Sequence, residues 1–588
     1  MKHARWQVMA PDPATQRVLT TTTGLPPLLC QLLGNRGIVD ADRARAFLSP
    51  SLHDLQDPYL LHGMQAAVAR LLLALRQNEC VAIYGDYDVD GMTGTALLLT
   101  FFRELGIEAS YYIPERATEG YGLNAEAIRR LASNGVRLLI TVDCGITAVE
   151  EIALARQVGI DTIITDHHQP PEVLPDACAV LNPHQPACAY PNKHLCGVGV
   201  VFKLITALRA ALRHAQLFTE RLPNLKRHLD LVMLGTIADV TPLREENRVI
   251  VAYGLQELEQ TRKPGLQALR KVSGREGKPA SAAEVGFQLA PRLNASGRLG
   301  SAAQSVSLLI AREPDEAARL AQQLDEVNRQ RRLLQQTIEA AAQARIAQQY
   351  GAHPPAAIVL GDPEWHHGVV GIVAARIAET YHRPTFLLQI HGATARGSGR
   401  SIPAFDLYRG LQHCAQWLRQ FGGHKYAAGL TMDAALIPYL QEELIRFAED
   451  HLTSSDLQPT LYLDAYLPLA EVTPGLVEQL AAFAPYGAGN PAPLLGVQDV
   501  RRTSTMRSFG QQGQHARFRV VQNGTTLEVV AFQQADRVQA LPPDARLDIA
   551  FTPTLNTWGG RSQVELHLRS LRLHNEGSRQ DEPATTFD

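Results

Sequence analysis

"GDYDVDGMTGTA", residues 85–96, sets Asp86, Asp88 and Asp90 at alternating positions directly after the apolar run "VAIY" from Val81. Carboxylates this close repel one another strongly unless a positive charge sits among them. The D-x-D-x-D-G spacing also opens an EF-hand calcium loop, which needs a helix before it and a bidentate Glu at its twelfth position. Counting from Asp86 the twelfth residue is Leu97, and the preceding segment is β-branched and apolar like a buried strand. A P-loop is excluded as well, because no Lys follows Gly91. What remains is a strand that ends in acid.

Further along, the pattern repeats. "ASYYIPE", "RLLITVD" and "DTIITDHH" are strand candidates, separated by helix-like stretches such as "GTALLLTFFREL" and "NAEAIRRLASN". Such alternation predicts an α/β domain with a mainly parallel sheet. The run "LLITV" ends in Asp143, and "TIIT" ends in Asp166, His167 and His168. Another apolar stretch, "LVMLGTIADVTPL", carries Asp239. In an open α/β sheet the carboxyl ends of the strands share one crevice, so groups far apart in sequence converge there. Two divalent cations would relieve the repulsion, activate a water for attack on phosphorus and clamp the displaced oxygen. Carboxylates with imidazole suit manganese or magnesium. Singly, Asp143 reads as a turn or cap residue, Asp166 and Asp239 as turn residues before prolines, and His168 as a loop histidine. Their recurrence at successive strand ends favours the metal site.

The 588 residues have a net charge of −3 and 45% apolar content, which bounds the chain to roughly three or four ordinary globular domains. Charges interrupt every long apolar run, so no membrane span is expected, and the start lacks a signal-peptide core, so a cytoplasmic protein is expected. Seven cysteines fit a reducing compartment. Cys178, Cys188 and Cys196 lie near His184 and His194 without a C-x-x-C spacing, which disfavours structural zinc. Residues 1–60 read as a helical lead-in and 61–313 as the larger α/β lobe. Between Pro314 and Gly351 there is neither Gly nor Pro, which predicts a long connecting helix over 314–350. Residues 351–455 restart strand patterns as a smaller α/β lobe. Residues 456–573 are β-rich, with a hairpin signal at "QNG", and suggest a small barrel of the OB kind. The polar tail 574–588 reads as disordered.

"DYDVDG", "VDCG", "DHH" and "GTIADVTPL", in this order, resemble the motifs of the DHH phosphoesterase superfamily. "PRLNASGRL", "WHHGVVGIVAARIAE", "GSGRS", "FGGHKYAAG" and "PYGAGNP" are similar to the bacterial single-strand-specific exonucleases of that superfamily, over about residues 35 to 570. The resemblance implies a DHH catalytic lobe, a DHHA1 substrate-binding lobe and an OB-like domain. It implies Asp88, Asp90, Asp143, His167 and Asp239 as ligands of two divalent ions, Mn2+ or Mg2+, with Asp143 bridging. Asp86 belongs to the first motif, either behind the ligands or bound through water. Asp166 would orient His167, and His168 would face the phosphate as donor or general acid.

Grip on the phosphate chain would fall to Arg298, Ser398, Arg400 and the loop Gly422, Gly423 and His424. From Arg501 to Arg519 there are five Arg and no acid, with Phe509 and Phe518 interleaved. This suits a stacked, charged platform for a single strand. The expected function is thus a metal-dependent 5′-to-3′ exonuclease that hydrolyses single-stranded DNA to 5′-mononucleotides in DNA repair and recombination. Polarity and product come from the resemblance alone. A small-substrate phosphoesterase is disfavoured by the β-rich domain, and a non-cutting scaffold by the complete ligand set. Single-strand binding protein and a recombination helicase are the expected partners, and a monomer the expected state.

Overall fold

In the computed structural model, which describes residues 4–116, 118–218, 222–503, 505–542, 544–558 and 561–574, the run before Asp86 is the strand Cys80–Gly85. It lies between Ala109–Tyr112 and Val136–Val142, followed by Asp161–Thr165 and Ala179–Leu181, all parallel. The central strands are buried nearly end to end, as a sheet covered on both faces requires. Val89–Glu104 and Gly197–His214 pack on one side, and Ala125–Ser133 and Val149–Gln157 on the other. The first and third strands in chain order are neighbours, so the connections leave to opposite sides between them. Asp86 and Asp143 follow these two strands, at the switch point where such sheets bind ligands. Asp239 departs from the expected strand end. The stretch that carries it forms the helix Leu229–Ala238, with Asp239 as its C-cap, so this acid arrives from a helix end.

The chain divides into two compact units: Asp40–Asn328 with Ala481–Ala492, and Met1–Val39 with Arg329–Leu480 and Pro493–Asp588. The motif "PYGAGNP" therefore packs mainly with the first unit. Arg248 accounts for this. It is 2% exposed, its Cζ lies 3.8 Å over the Phe47 ring, and its Nε donates to Phe47 O at 2.6 Å. Its remaining N–H groups donate to the carbonyls of Ala482, Phe483, Ala484 and Pro485. A buried guanidinium is tolerable only with its donors satisfied in this way.

In the second unit, Leu418–Gly423, Ala427–Asp433, Thr394–Arg400 and Thr385–His391 are antiparallel neighbours, and Ile358–Asp362 adds a parallel edge. The helix Pro314–Tyr350 is continuous over 37 residues, about 55 Å at 1.5 Å per residue. Leu495–Arg502, Arg546–Trp558, Arg561–Leu573, Thr525–Ala531 and His515–Gln522 pair in that order. Arg501 and Arg502 pair back to Val521 and Val520, closing a five-stranded barrel. Asn523 and Gly524 take φ of 47° and 84°, the left-handed pair that a tight hairpin demands.

The lead-in is not wholly helical. Arg5–Val8 is a strand parallel to Thr460–Leu463, and Trp6 Nε1 donates to Ser570 Oγ at 3.2 Å. Four residues paired across more than 400 positions leave no local signal. The expected tail beyond His574 lies outside the described residues. Among those described, no single helix is long and apolar enough to cross a membrane.

Arg248→Lys keeps the charge but cannot fork to the same carbonyls. It should lower unfolding free energy by about 3 kcal/mol or more, read by chemical denaturation of the full chain. A loss under about 1 kcal/mol would show that the carbonyl cage is dispensable.

Candidate metal centre

Asp86 leaves its strand still paired, its N–H donating to Val142 O at 3.1 Å. Asp88 caps the helix Val89–Glu104, with Oδ1 accepting from the N–H groups of Asp90 at 2.9 Å and Gly91 at 3.1 Å. Asp90 sits in the first turn and accepts from Gly197 N at 2.5 Å and Val198 N at 2.8 Å. Those amides are the N-terminus of Gly197–His214, whose positive end favours a carboxylate. Asp143 adopts φ 61°, a conformation that costs energy for a residue with a Cβ. Its side chain turns against Gly197, where a Cβ would lie 2.6 Å from Asp143 Cβ. The glycine is required by that close approach.

His167 Nε2 lies 3.1 Å from Asp143 Oδ1 and 3.8 Å from both Asp90 Oδ2 and Asp239 Oδ2. Three triads have ligand atoms within 4.8 Å of one another: Asp86 with Asp88 and Asp143, Asp90 with His167 and Asp239, and Asp143 with His167 and His168. Asp143 and His167 each belong to two. The Oδ1 atoms of Asp86 and Asp143 are buried without a hydrogen-bond partner. A buried carboxylate oxygen with nothing to accept is costly, and a cation would satisfy it. The donor set is oxygen with imidazole, which fits Mn2+ or Mg2+. Among the described residues Cys178, Cys188 and Cys196 join no such cluster.

Proton affinities record the same strain. Burial, then repulsion from Asp88, lifts Asp90 to about 7, and burial with Asp90 and Asp88 lifts Asp239 to about 8. Asp86 and Asp143 are pushed well above the carboxylate range, by burial first and then by neighbouring carboxylates. The adjacent histidines move apart. Burial and the charge of His168 depress His167 to about 4. His168 rises to about 9, because the Asp166 hydrogen bond and charge outweigh burial.

Asp166 accepts from His167 N at 2.7 Å, His168 N at 3.0 Å and Ile146 N at 2.9 Å, and pairs with His168 Nδ1 at 2.8 Å. Asp166 was expected to steer the His167 ring. Its side-chain partner is His168 instead, because the backbone turn places His168 Nδ1 over the carboxylate while His167 Nε2 points into the acid cluster. Sequence reasoning missed Tyr121, whose hydroxyl lies 3.2 Å from His168 Nδ1 and donates to Asp143 O at 3.2 Å. It also missed the two amides on Asp90, which come from the start of Gly197–His214.

Arg298 lies on Ala290–Leu299, a helix docked on the acid loop. Asn294 Oδ1 accepts from Val89 N at 3.2 Å, and a Cβ on Gly297 would sit 2.5 Å from Tyr87 O. In the other unit, Ser398 and Arg400 share the strand Thr394–Arg400, close to Gly371 of the helix His367–Tyr381. Gly422, Gly423 and His424 form the exposed tip of the adjoining hairpin. Gly423 has φ 138° and no room for a Cβ, with Ala427 O at 2.4 Å.

The basic stretch on the barrel is less uniform than its sequence. Phe518 and Arg502 are buried, and Arg517 pairs with Glu528 and Glu565. Phe509 instead joins His515, Phe532 and His567 in a chain of ring contacts 5.0 to 6.1 Å apart.

Comparison with known proteins adds to this geometry. Residues 80–236 match the DHH family, N-terminal domain; residues 354–450 match the DHHA1 domain; residues 463–570 match the RecJ OB domain. The single-stranded-DNA-specific exonuclease RecJ of Bacillus subtilis (strain 168) is 37% identical over 571 residues, 97% of this chain and 71% of that protein. The crystal structure of RecJ from Thermus thermophilus with Mn2+ superposes with a TM-score of 0.82 at 33% identity, over 97% of this chain and 80% of that one. The Mg2+ complex of the same protein gives 0.77 at 31% identity, with 97% and 79% covered.

The raised carboxylates make the metal-free protein sensitive to alkali. Its folded state holds protons on Asp90 up to about 7 and on Asp239 up to about 8 that the unfolded chain has released, so stability falls as pH rises. His168, raised to about 9, acts in the same direction above its unfolded value. His167, lowered to about 4, opposes them only below about 6.5. Chelator-treated protein should therefore lose melting temperature between about pH 6.5 and 8, and Mn2+ should restore it most at the alkaline end. A flat profile, with no growth of the Mn2+ shift, would contradict this assignment.

Proposed function

Because the chain belongs to the RecJ family of single-stranded-DNA-specific exonucleases, we propose that it degrades single-stranded DNA in a divalent-metal-dependent hydrolysis, from the 5′ end and to 5′-mononucleotides. The observation that carries this reading is the convergence of Asp86, Asp88, Asp90, Asp143, His167 and Asp239 at the switch point, with buried carboxylate oxygens left unsatisfied. Asp88, Asp90, Asp143, His167 and Asp239 hold two Mn2+ or Mg2+ ions, and Asp86 belongs to the same set through its triad with Asp88 and Asp143. Bound there, the ions supply a nucleophile at neutral pH and charge stabilisation at the phosphorus.

The remaining steps fall to the chain. Neutral His167 offers a lone pair to a metal. His168, kept protonated by Asp166 through Nδ1, donates through Nε2 to the phosphate under attack. The Tyr121 hydroxyl meets the same Nδ1 at 3.2 Å, so both contacts hold the ring at one nitrogen and leave Nε2 free to face the phosphate. Arg298 grips the strand beside the acid loop by charge and bidentate hydrogen bonds. Ser398, Arg400 and the Gly422–Gly423–His424 tip bind phosphates, and the ring cluster around Phe509 stacks bases. A cytoplasmic monomer working with single-strand binding protein and a recombination helicase in repair completes the proposal. Light scattering and pull-down with each purified partner test that part.

A 5′-end-labelled single strand, incubated with Mn2+, should release labelled mononucleotide. Asp143→Ala should reduce the rate by at least about a thousandfold. A duplex and a linear dinucleotide, run beside it, should be poor substrates. Faster turnover of the dinucleotide would instead identify a small-substrate phosphoesterase.

Asp166→Asn should remove the charge that holds His168 near 9 and let burial lower it. The alkaline limb of kcat should then move down in pH, with activity at pH 8 lower by about 10- to 100-fold and Mn2+ stabilisation kept. An unshifted limb would remove His168 from the reaction.

A further inference from the structure

Asp88 and Asp90 are oriented by backbone amides, and Asp143 by close packing against Gly197. Asp239 has no such hold. Among the described residues no hydrogen bond reaches its carboxylate, whose Oδ2 stands 3.8 Å from His167 Nε2. Where this side chain lies is therefore set through its backbone, as the C-cap of Leu229–Ala238. The backbone there is strained. Val240, the next residue and β-branched, takes φ 58°. Such a conformation persists only where the surrounding structure over-determines it.

That surrounding structure is the motif "PYGAGNP", nearly 250 residues further along the chain. Arg248 and Asn490 hold the carbonyls of Phe483 and Pro485 at its start. Gly487 and Asn490 exchange backbone hydrogen bonds of 2.9 and 3.1 Å, which closes a tight turn. The turn is set directly on the loop after Asp239. Leu243 N donates to Ala488 O at 2.8 Å, and Arg244 Nε to Gly489 O at 2.9 Å. No room is left between them. A Cβ on Gly487 would lie 2.7 Å from Leu243 Cδ1, and one on Gly489, which has φ 67°, would lie 2.9 Å from Pro242 Cβ. On the other side of Val240, Thr241 Oγ1 donates to Thr236 O at 3.0 Å. We propose that Gly487, Ala488 and Gly489 are positioning residues for Asp239. They pin residues 242–244, fix the strained turn at Val240, and so keep the Asp239 carboxylate beside Asp90 and His167. This inference deepens the single-strand exonuclease reading and rests on its two-ion centre.

The test is Mn2+ binding to the full-length protein, followed by the paramagnetic resonance of the free ion, beside cleavage of a single-stranded oligonucleotide. The wild type should bind two ions. Gly489→Ala and Gly487→Ala should weaken one of them by about 10-fold or more. The other should be kept, since the triad of Asp86, Asp88 and Asp143 does not include Asp239. Gly487→Ala is the milder change, because its methyl meets only the flexible end of Leu243. Leu243→Ala clears that space, so the double variant should bind Mn2+ more tightly than Gly487→Ala alone. At saturating Mn2+ the kcat of each glycine variant should return to within about 3-fold of the wild type. A lower melting temperature of the metal-free variants with both Mn2+ affinities unchanged would show a purely structural segment and overturn the positioning role, while the exonuclease reading stands. The expected loss of one ion in a protein whose wild type does not cut the strand would keep the positioning role and end the exonuclease reading. If the wild type binds no Mn2+, both fail together.

Discussion

Everything in the catalytic unit answers to one unfavourable fact: carboxylates that repel are buried together at the switch point of a parallel sheet. Asp86, Asp90 and Asp143 are nearly inaccessible, and two of them keep an oxygen with no hydrogen to accept. Such a cluster lowers the stability of the metal-free fold, so the surroundings must hold it in place. The apolar helices on the sheet do this in bulk, with Phe101, Phe102 and Val198 wholly buried. The amides of Gly197 and Val198 do it at one atom pair, and Gly197 also leaves the space into which Asp143 turns. A side chain at Gly197 would break both at once.

Buried charge is used a second time, to hold together segments distant in sequence. Arg248 draws the carbonyls of residues 482–485 and of Phe47 onto one guanidinium. In the other unit Asp464 is met by Arg36 at 3.3 Å, Asn35 at 3.1 Å and Leu494 N at 2.9 Å. Each is a poor stabiliser beside an apolar packing of equal volume, but removing one partner leaves the other uncompensated. The arrangement therefore specifies which segments meet more than it adds stability.

This also explains what could be read from the sequence. Apolar runs, the uninterrupted 37-residue helix and the Asn523–Gly524 turn have local causes, and each was legible. The acids after strands were legible because a parallel sheet must gather its carboxyl ends. Asp239 was expected at the site by resemblance and lies within reach of Asp90 and His167, but its helical setting was hidden, since a fully buried helix and a buried strand share one apolar signature. Phe518 was read as a platform residue because alternation along a strand does not say which face is the barrel interior. Tyr121 and the strand Arg5–Val8 depend on partners far along the chain, so nothing local marks them.

The same logic of buried charge reaches its shortest form in the pair His167 and His168. Two identical side chains, one residue apart, are driven in opposite directions, to about 4 and about 9. A metal ligand must be a neutral imidazole, and a donor to a developing anion is better as a cation. Burial alone would depress both. Asp166 breaks the symmetry, because its carboxylate meets His168 Nδ1 at 2.8 Å while His167 gives it only a backbone amide. Once His168 is charged, its field helps to keep His167 neutral. One carboxylate thereby sets the charges of the two rings apart, which is what the proposed roles of metal ligand and proton donor require.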